Sequence, residues 1–220
     1  MTIFIHPFTL IISGATSSGK TEWLLRLIRN RDLMIEQNQN SSESNSLPSQ
    51  IHVLYCYGEL NPKILALKTA SNVELHHGSP SEEIIRSSTS THAPLLLILD
   101  DLYLDVGDQL LNVLFTRGSH NWGVSIILVT QSLFGRNLRT ARTNSHYLVL
   151  MRNPSGQLEV RNVGSQLFPG RLSYFMDAYR QAIRDPYSYL LVNMAPNTKE
   201  EFRLSSHIFP GERMELYLPV

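Results

Sequence analysis

The chain has 220 residues, 19 basic and 19 acidic side chains, 42% hydrophobic residues and one cysteine, Cys56. That length suits one sizeable core, the lone cysteine rules out an internal disulfide, and no apolar run approaches the roughly 20 residues of a membrane span. The zero net charge hides an uneven distribution: residues 1–116 hold 7 Lys or Arg against 12 Asp or Glu, residues 185–220 hold 3 against 5, and residues 117–184 hold nine arginines against two acids. Such a basic stretch is a footprint for a polyanion or for the nucleotide of a neighbouring subunit, unless its arginines pair with acids elsewhere.

The N-terminal segment MTIFIHPFTLIISG has no basic leader, so it reads as a first strand rather than a signal peptide, with Phe8 to Ile12 buried. It runs into Gly14-Ala15-Thr16-Ser17-Ser18-Gly19-Lys20-Thr21, which satisfies the G-x-x-x-x-G-K-[ST] pattern of a phosphate-binding loop. Trp23, Leu24, Leu27 and Ile28 then share one face of a helix beginning near Lys20. The chemistry needs this order. The two glycines let the backbone turn onto a polyphosphate, the helix points its positive end at the same anion, and Lys20 reaches the terminal phosphates. Thr21 offers its hydroxyl to a Mg²⁺ bridging them.

Residues 36–50, EQNQNSSESNSLPSQ, have no apolar periodicity and read as a flexible surface insertion. Ile51 to Tyr57 alternates as the second strand, with Cys56 buried in it. Asn61-Pro62 opens a short helix through Leu67, Val73 to His76 is a short strand, and Ser79 to Glu83 starts a capped helix. Leu95 to Asp101, LLLILDD, is a strand buried on both faces with two carboxylates where it emerges. Ligands bind at such strand ends, which positions Asp100 to hold Mg²⁺ through water and Asp101 to orient or deprotonate an attacking water. In isolation the pair would only cap the next helix.

Asp105 to Phe115 follows as an amphipathic helix, Thr116 to His120 as a loop, and Gly123 to Thr130 as another buried strand ending at Gln131. In a parallel sheet Gln131 would stand beside the phosphate loop, either sensing the γ-phosphate or satisfying loop backbone. The remaining expectations are a helical turn over Leu133 to Leu138, a strand over Ser145 to Met151, a turn over Asn153 to Gly156, a strand over Leu158 to Val163, a helix over Gly170 to Arg180 and a strand over Tyr187 to Val192. The eight histidines show no metal-ligand spacing, and His120 and His146 are either neighbours of the nucleotide or ordinary loop and strand residues.

Three segments go beyond a generic phosphate-loop protein: Leu114 to Phe134, Asn144 to Pro154, and Leu167 to Met194. With the loop and the acid pair they resemble the genome-packaging ATPases of large DNA viruses, virophages and Maverick/Polinton-type transposons, a poxvirus-like branch of the FtsK/HerA superfamily. The resemblance covers nearly the whole chain outside residues 36–50. It implies an α/β, RecA-like P-loop ATPase domain over residues 1–220, with a mainly parallel central sheet flanked by helices and residues 155–220 extending the core. It further implies ATP and Mg²⁺ as cofactors and a homo-oligomeric ring, pentameric or hexameric. Such a ring threads double-stranded DNA, without reading its sequence, into a viral capsid at its portal vertex, inside the host cytoplasm or nucleus or on the virion, and not in a membrane.

Carried over by position, residues 14–21 are the Walker A loop, Asp100 the Walker B metal carboxylate, Asp101 the catalytic acid and Gln131 the sensor. Arg117 is the leading trans-acting arginine, with Arg136 and Arg142 as alternatives. Many superfamily members have Glu where this chain has Asp101, one methylene shorter. Two other functions remain open on sequence alone. One is a small-molecule kinase with Arg136, Arg139 and Arg142 as a lid, and the other a non-hydrolysing, ATP-dependent assembly factor.

Overall fold

The computed structural model describes residues 3–37, 50–91, 94–102, 104–135 and 138–219. Within them the elements run β1 (Phe4–His6), β2 (Thr9–Ser13), α1 (Lys20–Met34), β3 (Ile35–Gln37), β4 (His52–Tyr57), α2 (Pro62–Leu65) and β5 (Val73–His77). They continue with α3 (Glu82–Thr91), β6 (Leu95–Asp100), α4 (Asp108–Val113), α5 (Ser119–Trp122), β7 (Val124–Thr130), α6 (Leu138–Thr143), β8 (Tyr147–Met151), α7 (Gln157–Leu167), α8 (Leu172–Ala182), β9 (Tyr189–Asn193), β10 (Leu204–Ser206) and β11 (Glu215–Leu216).

Nine strands form one twisted sheet in the order β11-β10-β9-β8-β2-β7-β6-β4-β5. From β8 to β5 every pairing is parallel, while β8–β9, β9–β10 and β10–β11 are antiparallel. The sheet is therefore mixed, parallel only on the β5 side of β8; the short returns after α8 are what a chain can make without a crossover helix. Period-two alternation sends Leu10, Ile12, Leu96, Ile98, Ile127 and Val129 to one face, where α1 covers them with Trp23, Leu24, Leu27 and Ile28. Ile11, Leu97, Leu99 and Leu128 point the other way, against Leu111, Leu114, Val160 and Phe175 of the remaining helices. Buried Arg31 fixes α1 in place by donating to the carbonyls of Ile28 (2.8 Å), Ile51 (3.0 Å) and Ser71 (2.9 Å).

Several expectations are corrected. The N-terminal strand is two strands: β1 leaves the main sheet and pairs with β3, so Ile35 to Gln37 are ordered strand while residues 38–49 of the expected insertion lie outside the described residues. Thr116 to His120 are helical, spanning a wider π turn over Leu114–Gly118 and the start of α5. After β7, Ser132 to Gly135 are irregular where a helical turn from Leu133 was expected, and α6 is described over Leu138–Thr143. Leu158 to Val163 belong to α7, not to a strand. There Val160, Val163 and Gly164 face the core at helical spacing, and a Cβ on Gly164 would come within 2.3 Å of the Phe175 ring, so close packing on α8 decides the conformation.

Candidate nucleotide-binding site

β2 is buried along its whole length and delivers the loop at its carboxyl end. Gly14 is required there: a Cβ would lie 2.6 Å from Ser18 Oγ and 2.7 Å from Met151 Cβ. The loop then curls through two left-handed residues, Ser17 at φ 62° and Gly19 at φ 103°, a backbone habit that turns successive N–H groups toward a common centre. Its outer side is tied to β8, since the Ala15 N–H donates to the Arg152 carbonyl at 3.3 Å. α1 starts at once, with Gly19 as its N-cap and no side chain occupying the cap position, so the helix end stays open toward the loop. Lys20 Nζ donates to the carbonyls of Gly14 and Ala15, both at 2.8 Å, which lays the ammonium along the inside of the loop. Thr21, the next residue of α1, is half-buried.

The acid pair stands two strands away. β7 lies between β2 and β6, so the loop, Gln131 and Asp100 leave three adjacent strand ends. Asp100 continues the alternation of Leu96 and Ile98 onto the face that α1 covers, and it is only 8% exposed. Burial raises its pKa; the Tyr55 hydroxyl, donating to Oδ2 at 2.5 Å, opposes this, Asp101 adds to the rise and Lys20 opposes it. Burial likewise lowers the Lys20 pKa, against the pull of Asp101 and then Asp100. The cation and both carboxylates thus share one electrostatic neighbourhood. Asp101 is exposed and left-handed at φ 57°, turned out of the strand line that Asp100 follows.

Gln131 is exposed at the end of β7, and Thr16 Oγ1 of the loop approaches its Oε1 at 3.5 Å. Its surroundings contain two residues that the sequence reading passed over. Asn153 Nδ2 donates to the Gln131 carbonyl at 3.3 Å, while its Oδ1 accepts from the Gly156 N–H at 3.1 Å and from Ser155 Oγ at 3.0 Å. Glu159 of α7 accepts from Ser132 Oγ at 2.6 Å and from the Leu133 N–H at 2.8 Å. Together they fix the segment after Gln131 to β8 and α7. The signal available for Glu159 was its place in the first turn of an apolar 160, 163, 167 helix pattern.

The arginine candidates separate. Arg142 is used inside the fold: Nη1 donates to the Leu133 carbonyl at 2.7 Å, and the guanidinium lies 3.9 Å from the centre of the Phe134 ring. Arg136 lies outside the described residues. Arg117 is exposed on the π turn. Its neighbour Thr116 shares a cavity with Thr9, His120 and His146, at the start of β2 and β8. Arg117 therefore stands near the opposite end of the sheet from its own loop, with the length of β2, on the order of 16 Å of strand, between them. His120 and His146 are at that far end too, away from the phosphate loop. Of the nine arginines in the basic stretch, Arg171 pairs with Glu200 and Arg180 with Asp177.

A Mg²⁺ would meet hard oxygen donors here, the Thr21 hydroxyl and the Asp100 carboxylate. Among the described residues no group of three or more His, Cys, Asp or Glu side chains could hold a metal by itself. That donor set fits an ion that keeps several waters and takes its other ligands from phosphates.

No protein-family model matches the sequence, and neither does any curated protein. Solved structures do. The chain aligns over 97% of its length with 97% of the genome packaging NTPase B204 from Sulfolobus turreted icosahedral virus 2 in complex with sulfate, at 10% identity and a TM-score of 0.54. With B204 in complex with ATP-γ-S the identity is 12%, the coverage 97% and 98%, and the TM-score 0.54. The likeness is one of fold. It extends to EssC (ATPases 2 and 3) from Geobacillus thermodenitrificans, where 96% of this chain covers 39% of that one at 14% identity and a TM-score of 0.55. The shared architecture is a mixed α/β fold with a large sheet and flanking helices, and no described helix is long and apolar enough to cross a membrane.

Proposed function

We propose that the chain is an ATP-hydrolysing motor that translocates double-stranded DNA during viral genome packaging, working as a homo-oligomeric ring on a RecA-like core. The observation that carries this reading is the row of three adjacent strand ends: the Gly14–Thr21 loop on β2, Gln131 on β7, and Asp100 with Asp101 on β6. A triphosphate seated on the loop presents its terminal phosphate toward this row. Lys20 binds the β- and γ-phosphates, Asp100 and Thr21 would hold Mg²⁺, which would supply charge neutralisation, and Asp101 orients or deprotonates the attacking water. Gln131, steadied by Asn153 and Glu159, senses the γ-phosphate. Fold likeness to a genome packaging NTPase solved with an ATP analogue supports the choice of nucleotide and process.

Arg117 serves in trans. Its place far from its own loop suits contact with a neighbour's nucleotide, which couples turnover to assembly. DNA binding is through phosphates, salt-dependent and indifferent to sequence. The kinase reading loses ground because Arg142, one of its three lid arginines, is already committed to Leu133 and Phe134.

The test is steady-state ATP hydrolysis at low salt with and without linear double-stranded DNA, for the wild type, Lys20→Ala and Asp101→Asn. Stimulation by DNA of any sequence, fading as salt rises and absent in both variants, is the expected result. Turnover indifferent to DNA but dependent on a small acceptor would replace the motor with a kinase, and ATP binding without turnover would leave the assembly factor.

A further inference from the structure

The strand order gives a bound nucleotide a direction. Apart from Lys20 on the loop itself, the groups assigned above to the γ-phosphate, its metal and the attacking water, Gln131, Asp100 and Asp101, lie on the β7–β6 side of the loop. The nucleoside must therefore leave on the other side, toward β8 and β9. What stands there is the segment Arg184 to Ser188, between α8 and β9.

That segment is built against the loop. Tyr187 packs on Gly19, the last glycine before Lys20: a Cβ on Gly19 would lie 3.2 Å from both Cβ and Cδ1 of Tyr187. Yet Tyr187 is 70% exposed, so its ring offers aromatic surface to solvent directly beside the phosphate loop. Its backbone is left-handed at φ 64°, unusual for a bulky side chain. The turn that imposes this is held by Ser188, whose hydroxyl and N–H both donate to the Asp185 carbonyl, at 2.6 and 3.3 Å. Arg152 joins the segment to the loop, its carbonyl accepting from Ala15 and its Nη2 donating to the Arg184 carbonyl at 3.5 Å. Tyr187 also lines a cleft of about 190 Å³ with Arg26, Ser188, His207 and Glu212. Arg26 and Glu212 in this wall are already paired at 2.6 Å, and Asp185 also lines it.

We propose that Tyr187 is the platform on which the nucleotide's base stacks, and that it makes the site one for purine nucleoside triphosphates. This rests on the nucleotide-site reading above. A stacking face recognises ring area rather than the pattern of donors and acceptors on a base edge, so ATP and GTP bind alike and both bind more tightly than CTP. Selection by the base is thus separated in space from the chemistry on β6 and β7.

The test is calorimetric titration of the full chain with ATP, GTP, CTP and inorganic tripolyphosphate, for the wild type, Tyr187→Ala, Tyr187→Phe and Lys20→Ala. Loss of the stack is expected to weaken ATP and GTP binding to Tyr187→Ala about 5- to 150-fold while leaving tripolyphosphate unchanged, with Tyr187→Phe close to wild type. Tyr187→Ala binding ATP within twofold of wild type would overturn the inference. So would a parallel loss of tripolyphosphate, which would make Tyr187 a prop for Gly19 alone. Failure of the underlying reading looks different: wild type that binds neither ATP nor tripolyphosphate, or Lys20→Ala that binds both as well as wild type.

Discussion

Tyr55→Phe removes one hydroxyl from the core and leaves the ring. Tyr55 is fully buried, and that hydroxyl donates to Asp100 Oδ2 at 2.5 Å. It is the largest of the influences opposing the burial that raises the Asp100 pKa. A hydrogen bond to a charged group contributes about 1.5–3 kcal/mol, so its loss leaves burial less opposed and raises the Asp100 pKa further in the variant. Because the folded-state pKa lies above that of an unfolded Asp, about 3.9, folded Asp100 holds its proton to higher pH, and the group's contribution to stability falls as pH rises through that window. The variant widens the window. It is therefore expected to be less stable than wild type by about 1.5–3 kcal/mol at neutral pH, with the deficit shrinking as pH falls and Asp100 becomes protonated in the folded state of both proteins. Urea unfolding across a pH series measures this. The pH profile of ATP hydrolysis supplies a second reading, in which the acid limb moves to higher pH while the alkaline limb stays. A stability loss equal at every pH together with an unmoved acid limb would refute the reading that the Tyr55 hydrogen bond favours the charged form of Asp100.

Gly14→Ala forces a Cβ against Ser18 Oγ and Met151 Cβ, at 2.6 and 2.7 Å, so the loop must shift. ATP affinity is expected to fall tenfold or more, on the order of 1.4 kcal/mol, and titration calorimetry reads it directly. Glu159→Ala frees Ser132 and Leu133 from α7 and lets the segment after Gln131 move. If Gln131 senses the γ-phosphate as proposed, kcat is expected to drop about tenfold with KM little changed; a rise in KM alone would show that the segment serves binding.

The parts of the site that backbone rules dictate were legible in the sequence. The loop announces itself because Gly14 and Gly19 are the residues that a close approach and a left-handed turn permit, and LLLILDD because a run of aliphatic residues ending in acids fits few positions in a fold. Gln131 was legible through register: a parallel strand next to β2 must end beside the loop. Residues 158–163 were not, since Leu158 and Val160 fit the strand period and Val160 and Val163 the helical one over so short a window, and the contact of Gly164 with Phe175 that decides for helix is tertiary. Tyr55, Asn153 and Glu159 escaped for a related reason. Each acts on a group 22 or more residues away, at separations of 45, 22 and 26 to 27 residues, and local pattern carries no trace of the partner. β10 and β11 hold three and two residues; β10 owes its conformation to the edge that β9 offers and β11 to the edge that β10 offers in turn. Arg142 looked free because composition counts charges without showing what each guanidinium touches.

β2 sits fifth in a sheet of nine strands, paired on both sides and covered on both faces. Amide protons in such a strand exchange with solvent only when the whole sheet opens, whereas those at the rim exchange through local fraying. The chemical groups are therefore mounted on the last part of the chain to yield. Under a bound phosphate the strand ends act as a fixed bench, and three attachments leave it: the turn at residues 14–19, the link from the segment after Gln131 to Glu159 of α7, and the tether from Arg152 to Arg184. On the motor reading proposed above, stiffening any one of those three straps should change the coupling of turnover to movement before it changes the stability of the fold.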